Sequence, residues 1–258
     1  MNRTVLRSLL RRERPGLPDD WRNILDARSR QWALLDEPAR VRLGELAEHL
    51  LTTKHWEAAR GLTMTDDVRT VIAAHAGLLV LGLDEHWYDE VGTIVVRRGA
   101  MRRGAPTARW GVVDGVVDGS DDPIDGEAHD GRGPVMINWT SARREAASIR
   151  FGRDVVLHEF AHKLDMLDGL IDGTPPIDDE LDRQRWIDVC TAEYEALAER
   201  AEDRLLRDYA ATNPGEFFAV ATEVFFTRGM AMAERRPDLY AVLAAFYRQD
   251  PAARTRPS

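Results

Sequence analysis

Apolar positions recur along the chain at two spacings, and the change of spacing divides it. From Glu37-Pro38 onward, Val41, Leu43, Leu46, Leu50 and Leu51 fall at helical intervals, and a proline near a first turn costs no hydrogen bond. Thr65, followed by Asp66 and Asp67, reads as another helix start: the hydroxyl caps free amides, and the acids suit the positive end of the dipole. Val68, Val71, Ile72, Leu78 and Leu79 supply its buried face, and Gly82 is expected to end it. Between Trp87 and Trp139 the pattern becomes short β-branched runs, Thr93 to Val96, Val112 to Val117 and Val135 to Trp139, separated by Gly, Asp and Pro clusters. Gly119 to Gly133, rich in Asp and Gly, reads as a loop. Beyond Ser141 helical spacing returns around Val155 to Met166, Leu181 to Arg200, Pro214 to Arg228 and Asp238 to Tyr247.

Composition narrows the function classes. The 258 residues are enough to bury a sizeable core, and 44 acids against 35 bases give a net charge of −9. That balance argues against nucleic acid as a direct ligand, since phosphate binding rests on clustered Lys and Arg. The longest apolar stretch, Ala73 to Leu83, is interrupted by His75 and is too short to cross a bilayer, so no membrane partner is expected. Cys190 is the only cysteine and cannot form an internal disulfide, which suits a reducing cytoplasmic location. Met1 to Arg14 alternates arginines with Val5, Leu6, Leu9 and Leu10 and reads as a basic amphipathic arm or first helix without the features of a secretory signal. We expect residues 1–61 to form an N-terminal helical segment packed on the core, 62–252 the catalytic domain, and 253–258 a flexible, frayed tail.

The chemistry concentrates in Asp154-Val-Val-Leu-His158-Glu159-Phe-Ala-His162-Lys-Leu-Asp165. Two histidines four apart on a helix project from one face, so both imidazoles can reach one metal ion, with Glu159 beside them. With seven histidines in the chain, composition alone yields this pattern roughly 0.02 times, so coincidence is a poor explanation. The surrounding Val155, Val156, Leu157, Phe160, Ala161 and Leu164 bury the helix, and polar residues there need a reason. Two imidazoles and a carboxylate make a three-ligand zinc site with one position open to water, whose proton Glu159 would accept.

The third ligand must come from elsewhere. One local arrangement would use Asp168, but the glycine it needs as a hinge is here Asp165. A continued helix puts Asp165 on the face of His158, where its carboxylate either accepts the outer ring N–H of a ligand histidine or is simply a helix-end acid. Downstream, Thr212 or Asn213 can cap a helix opened by Pro214, in which Glu216 and Glu223 lie on one face among phenylalanines. Carboxylates so deep are costly unless paired with a cation, and spacing does not choose between them.

Taken together, "HEFAHKLDMLDG", "YAATNPGEFFAVATEVFF", "LYAVLAAFYRQDP" and "LTMTDDVRTVIAAHAGLLVLGL" resemble the Mlc titration factor A family of zinc-dependent peptidases, gluzincin-like enzymes related in their catalytic part to anthrax lethal factor. The resemblance is read from about Leu62; the segment before it and the Gly99 to Arg132 loops are expected to be particular to this chain. The resemblance implies an α+β zincin-like fold with a small mixed sheet, an active-site helix and additional N-terminal and C-terminal helices. It also implies zinc ligands His158, His162 and Glu216, the base Glu159, and Tyr209 as an oxyanion-stabilising phenol, leaving Glu223 as a supporting or structural acid. It likens Pro134 to Trp139 to the edge strand that aligns substrate backbone. It implies a cytoplasmic peptidase with aminopeptidase-like activity on peptide or protein substrates; the alternative is a regulator that sequesters a transcriptional repressor, with zinc mainly structural. A structural site would be closed by four protein ligands, and these motifs supply three.

Overall fold

The computed structural model describes residues 16–59, 61–99, 126–128, 133–148, 152–197 and 205–254. Two short-range signals set its first half. After α1 (Trp21–Arg28), Asp36 caps α2 (Glu37–Thr53) by accepting from the Ala39 amide at 2.9 Å, with Pro38 in the first turn. Thr65 caps α3 (Asp66–Leu79) through the Val68 amide, and Val68, Val71, Ile72, Leu78 and Leu79 are all buried. That helix stops at Leu79, three residues before the expected glycine. Gly82 answers a different need: a Cβ there would stand 2.4 Å from the Tyr247 carbonyl oxygen, so only glycine lets the two backbones meet.

Among the described residues four strands form one sheet: β1 (His55–Ala58), β2 (Thr93–Arg97), β3 (Gly126–Ala128) and β4 (Val135–Asn138), in the order β1-β2-β4-β3. β1, β2 and β4 run parallel, with Ile94 opposite Val135, and β3 pairs antiparallel with β4. A parallel pair needs a crossover, and α3 lies in the connection from β1 to β2. Two expectations are corrected here. The helical first third contains a strand, β1, whose exposed His55, Glu57 and Ala58 suit a sheet edge rather than a buried run. The strand after Pro134 is not an edge, because its backbone is paired on both sides; β3, inside the stretch read as loop, is the outermost strand beside it among the described residues. The Val112 to Val117 run, the Met1 to Arg14 arm and the rest of the Gly119 to Gly133 loop lie outside the described residues, apart from Gly133 itself.

After α4 (Trp139–Ala146) comes α5 (Val155–Asp165), every residue of which is buried. It touches β3 and β4, α3, and α7 (Pro214–Thr227). Trp186 of α6 (Glu180–Leu197) packs against Phe218 and Phe246, which joins α6 to α7 and to α9 (Pro237–Tyr247), the latter preceded by the short α8 (Gly229–Arg235). The chain after Asp250 is docked through residue 253: Pro251 is buried, and the Ala252 amide donates to the Tyr240 hydroxyl at 2.9 Å. Residues 255–258 lie outside the described part. The architecture is therefore α+β, a small mixed sheet against a buried helix with helices before and after it.

The loop after α5 meets the start of α7 at Gly173, where φ is +78° and a Cβ would stand 2.4 Å from the Pro214 carbonyl oxygen. Gly173→Ala is expected to lower stability by about 2 kcal/mol or more, since both the left-handed backbone and the close approach exclude a side chain. Urea denaturation measures it; an unchanged midpoint would show that this contact yields freely.

Candidate metal centre

The start of α5 is fixed by Asp154, whose Oδ1 accepts from the amides of Val156 and Leu157 at 3.0 and 3.2 Å. Its apolar residues, Val156, Leu157, Phe160, Ala161 and Leu164, anchor the helix on all sides, and Phe160 meets Tyr88 edge to face at 5.0 Å. His158 and His162, one turn apart, then point the same way, their ring centroids 4.8 Å apart. α7 reaches them from across the core. Asn213 caps it by accepting from the Glu216 amide at 2.9 Å, and Pro214 takes the first position, which leaves the Glu216 side chain in the opening turn aimed at the histidines.

Three donor atoms converge. Glu216 Oε2 lies 3.1 Å from His158 Nε2 and 3.6 Å from His162 Nε2, and the two nitrogens are 3.3 Å apart. Bonds of about 2.0–2.1 Å in a tetrahedral arrangement separate ligand atoms by about 3.3–3.4 Å, so this triangle has the size of one face of such a site. Glu216 Oε2 is also buried without a hydrogen bond. An orphaned carboxylate oxygen facing two imidazole nitrogens is what a small divalent cation relieves, and the three residues fit one.

Charge balance points the same way. His158 Nδ1 lies 2.7 Å from Glu223 Oε1, which fixes the ring and turns Nε2 toward Glu216. Burial opposes charge on His158, but the Glu223 and Glu216 carboxylates outweigh it and raise its pKa to about 10 in the metal-free protein. Burial would likewise raise Glu216, yet the two histidines hold it well below the usual carboxylate range. Glu223 is lowered despite its burial because Arg207 lies against it, Nη2 to Oε1 at 2.6 Å. The centre thus demands positive charge, as protons or as a metal ion.

Tyr209 stands at the mouth, its hydroxyl donating to Glu216 Oε1 at 3.1 Å and its ring half-exposed beside His158. Glu159 is buried, with Oε2 lacking a partner, and burial raises its pKa to about 8. His158, Glu159, His162, Tyr209, Glu216 and Glu223 are therefore gathered together. Asp165 is not joined to either histidine by a hydrogen bond: its Oδ2 accepts from the Gly173 amide at 3.1 Å, so it tethers the loop. Asp168 is exposed and accepts from the Leu170 amide, because the chain turns away at Gly169 rather than back toward the histidines. Sequence reading missed Arg207, which serves Glu223 and lies 5.6 Å from the Tyr209 ring, and Asp154, whose amide donates to Glu223 at 2.8 Å. The one available signal was the expense of a carboxylate among phenylalanines, which calls for a cation without naming it.

Residues 3–248 match the glucose-regulated metallo-peptidase M90 family, which corrects the expectation that the segment before Leu62 is particular to this chain. An uncharacterized protein of Synechocystis is 35% identical over 242 residues, spanning 93% of this chain and 86% of its own. Mlc titration factor A of Yersinia pestis and that of Yersinia pseudotuberculosis are each 30% identical over 231 residues, 87% of this chain and 83% of theirs. Fold, donor cluster and sequence agree, and the chain belongs to the glucose-regulated metallo-peptidase M90 family.

Proposed function

We propose that the protein is a zinc-dependent peptidase, with His158, His162 and Glu216 as the zinc ligands and Glu159 as the general base. The observation that carries this reading is the donor triangle with its orphaned Glu216 oxygen. Zinc bound there would supply Lewis acidity, polarising a peptide carbonyl and acidifying water to a pKa of about 7. Glu159 takes the proton of the attacking water and delivers it to the leaving amine; a buried carboxylate with an unpartnered oxygen is free for both transfers. Tyr209 donates to the developing oxyanion, leaving Glu216 to do so. Glu223 and Arg207 keep His158 in one tautomer and orientation. Peptide backbone would pair along β3, the outermost strand among the described residues, since β4 is paired on both sides. Aminopeptidase-like cleavage in the cytoplasm is the form of activity that the family resemblance suggests.

A second reading comes from the Yersinia relatives, whose name is Mlc titration factor A. On it, the chain sequesters a transcriptional repressor of the Mlc kind and zinc is mainly structural. Among the described residues three protein donors gather there rather than four, which favours the enzyme.

Glu159→Gln is expected to keep zinc stoichiometry while lowering hydrolysis of amino-acid anilides or peptides about 100-fold or more; undiminished turnover would refute the base. Glu216→Ala is expected to lose most bound zinc by elemental analysis, and full retention would refute the ligand. In the metal-free protein Glu159, with its pKa raised from 4.5 to about 8, holds a proton that the unfolded chain has released, so its contribution to stability falls as pH rises through this range. His158, raised to about 10, adds a fall above pH 6.5. Unfolding free energy should therefore decline from about pH 5 to pH 8, and Glu159→Gln should flatten that decline; an equal slope in both proteins would contradict it.

A further inference from the structure

Behind the metal centre runs a line of buried polar side chains that the proposed chemistry does not use. Ser29, His75 and Asp154 are 5%, 1% and 2% exposed, and they come from separate parts of the chain: just past α1, within α3, and at the start of α5. Ser29 Oγ lies 2.9 Å from His75 Nε2, and His75 Nδ1 lies 2.5 Å from Asp154 Oδ2. Asp154 passes the contact on. Its Oδ1 caps α5, and its amide donates to Glu223 Oε2, whose other oxygen holds His158 Nδ1.

The contacts along this line are complete. Asp154 accepts two amides through Oδ1 while its Oδ2 meets His75 Nδ1. His75 Nε2 meets the Ser29 hydroxyl oxygen, which also accepts from the Trp32 amide at 3.2 Å. Every polar atom named here has a hydrogen-bond partner. Burying three polar side chains in a core is costly compared with apolar packing unless their directionality fixes something. What they fix is the Asp154 side chain, hence the entry into α5 and the aim of the amide that seats Glu223.

Resting on the metal assignment above, we propose that His75 is a positioning residue of the metal centre: by clamping Asp154 it sets the angle at which His158 presents Nε2 to the ion. The helices that precede the catalytic motif thus hold part of the ligand's support. Outer partners of metal-ligating histidines change metal affinity by about 10- to 100-fold, and a partner one step further out is expected near the lower figure.

The test uses the full chain and zinc itself. Affinity is read by competition with a chromophoric chelator, ligand geometry by the visible spectrum of the cobalt-substituted protein, and folding by circular dichroism. His75→Leu removes both ring nitrogens and is expected to weaken zinc binding about tenfold and alter the cobalt spectrum, whereas His75→Asn, which restores an N–H near the place of Nδ1, recovers most of both. A folded Leu variant with wild-type affinity and spectrum would overturn the proposal. Should that variant not fold, His75→Asn against His75→Gln carries the comparison, because Gln places its amide near Nε2 instead. Tighter zinc binding by Asn supports the clamp, and equal binding overturns it. Glu216→Ala runs alongside: if it binds zinc as the wild type does, the metal assignment itself fails, whereas dependence on Glu216 with indifference to His75 removes the clamp alone.

Discussion

Three glutamates, Glu159, Glu216 and Glu223, are gathered where the buried helices α5 and α7 meet, two of them buried and Glu216 partly so. Moving a carboxylate out of water costs several kcal/mol unless a positive partner meets it. Arg207 answers Glu223, and the two imidazoles face Glu216, whose Oε2 is still without a hydrogen bond. The remaining negative charge has to be met by protons or by a metal ion. The geometry of α5 and α7 makes sense as a device for holding that imbalance still until an ion meets it.

Holding it still is the task of ordinary structural chemistry. Asp154 and Asn213 cap the two helices: Asp154 accepts from the amides of Val156 and Leu157, just before His158, and Asn213 from that of Glu216 itself. Phenylalanines fill the sides of α7, so it cannot roll, and the sheet backs α5. Asp165, fully buried, ties the following loop through Gly173, and the Trp186 indole holds the same glycine by its carbonyl at 3.0 Å.

Much of this was legible from local pattern. The two histidines at helical spacing, the caps at Thr65 and Asn213, and the apolar faces depend on residues within a turn of each other, and they stand where spacing puts them. What could not be read is set by partners distant in sequence. β1 is a strand because His55 and its neighbours pair with Thr93 onward, not because its own residues alternate. The edge passed from β4 to β3 because a three-residue segment pairs there, too short to leave a pattern. Asp165 lies on the expected helix, but its carboxylate went to a loop amide that periodicity cannot represent, and Arg207 sits in a stretch whose spacing gives no reason to single it out.

The hydrogen bond between His158 and Glu223 spans 65 positions of chain, and that between His75 and Asp154 spans 79. During synthesis the paired imidazoles leave the ribosome well before the carboxylates of α7 do, so a growing polypeptide carries half a grip. Contacts this far apart in sequence close late in folding. The donor triangle is therefore assembled only once α7 has been made and has packed against α5, and until then the two imidazoles stand without their carboxylate.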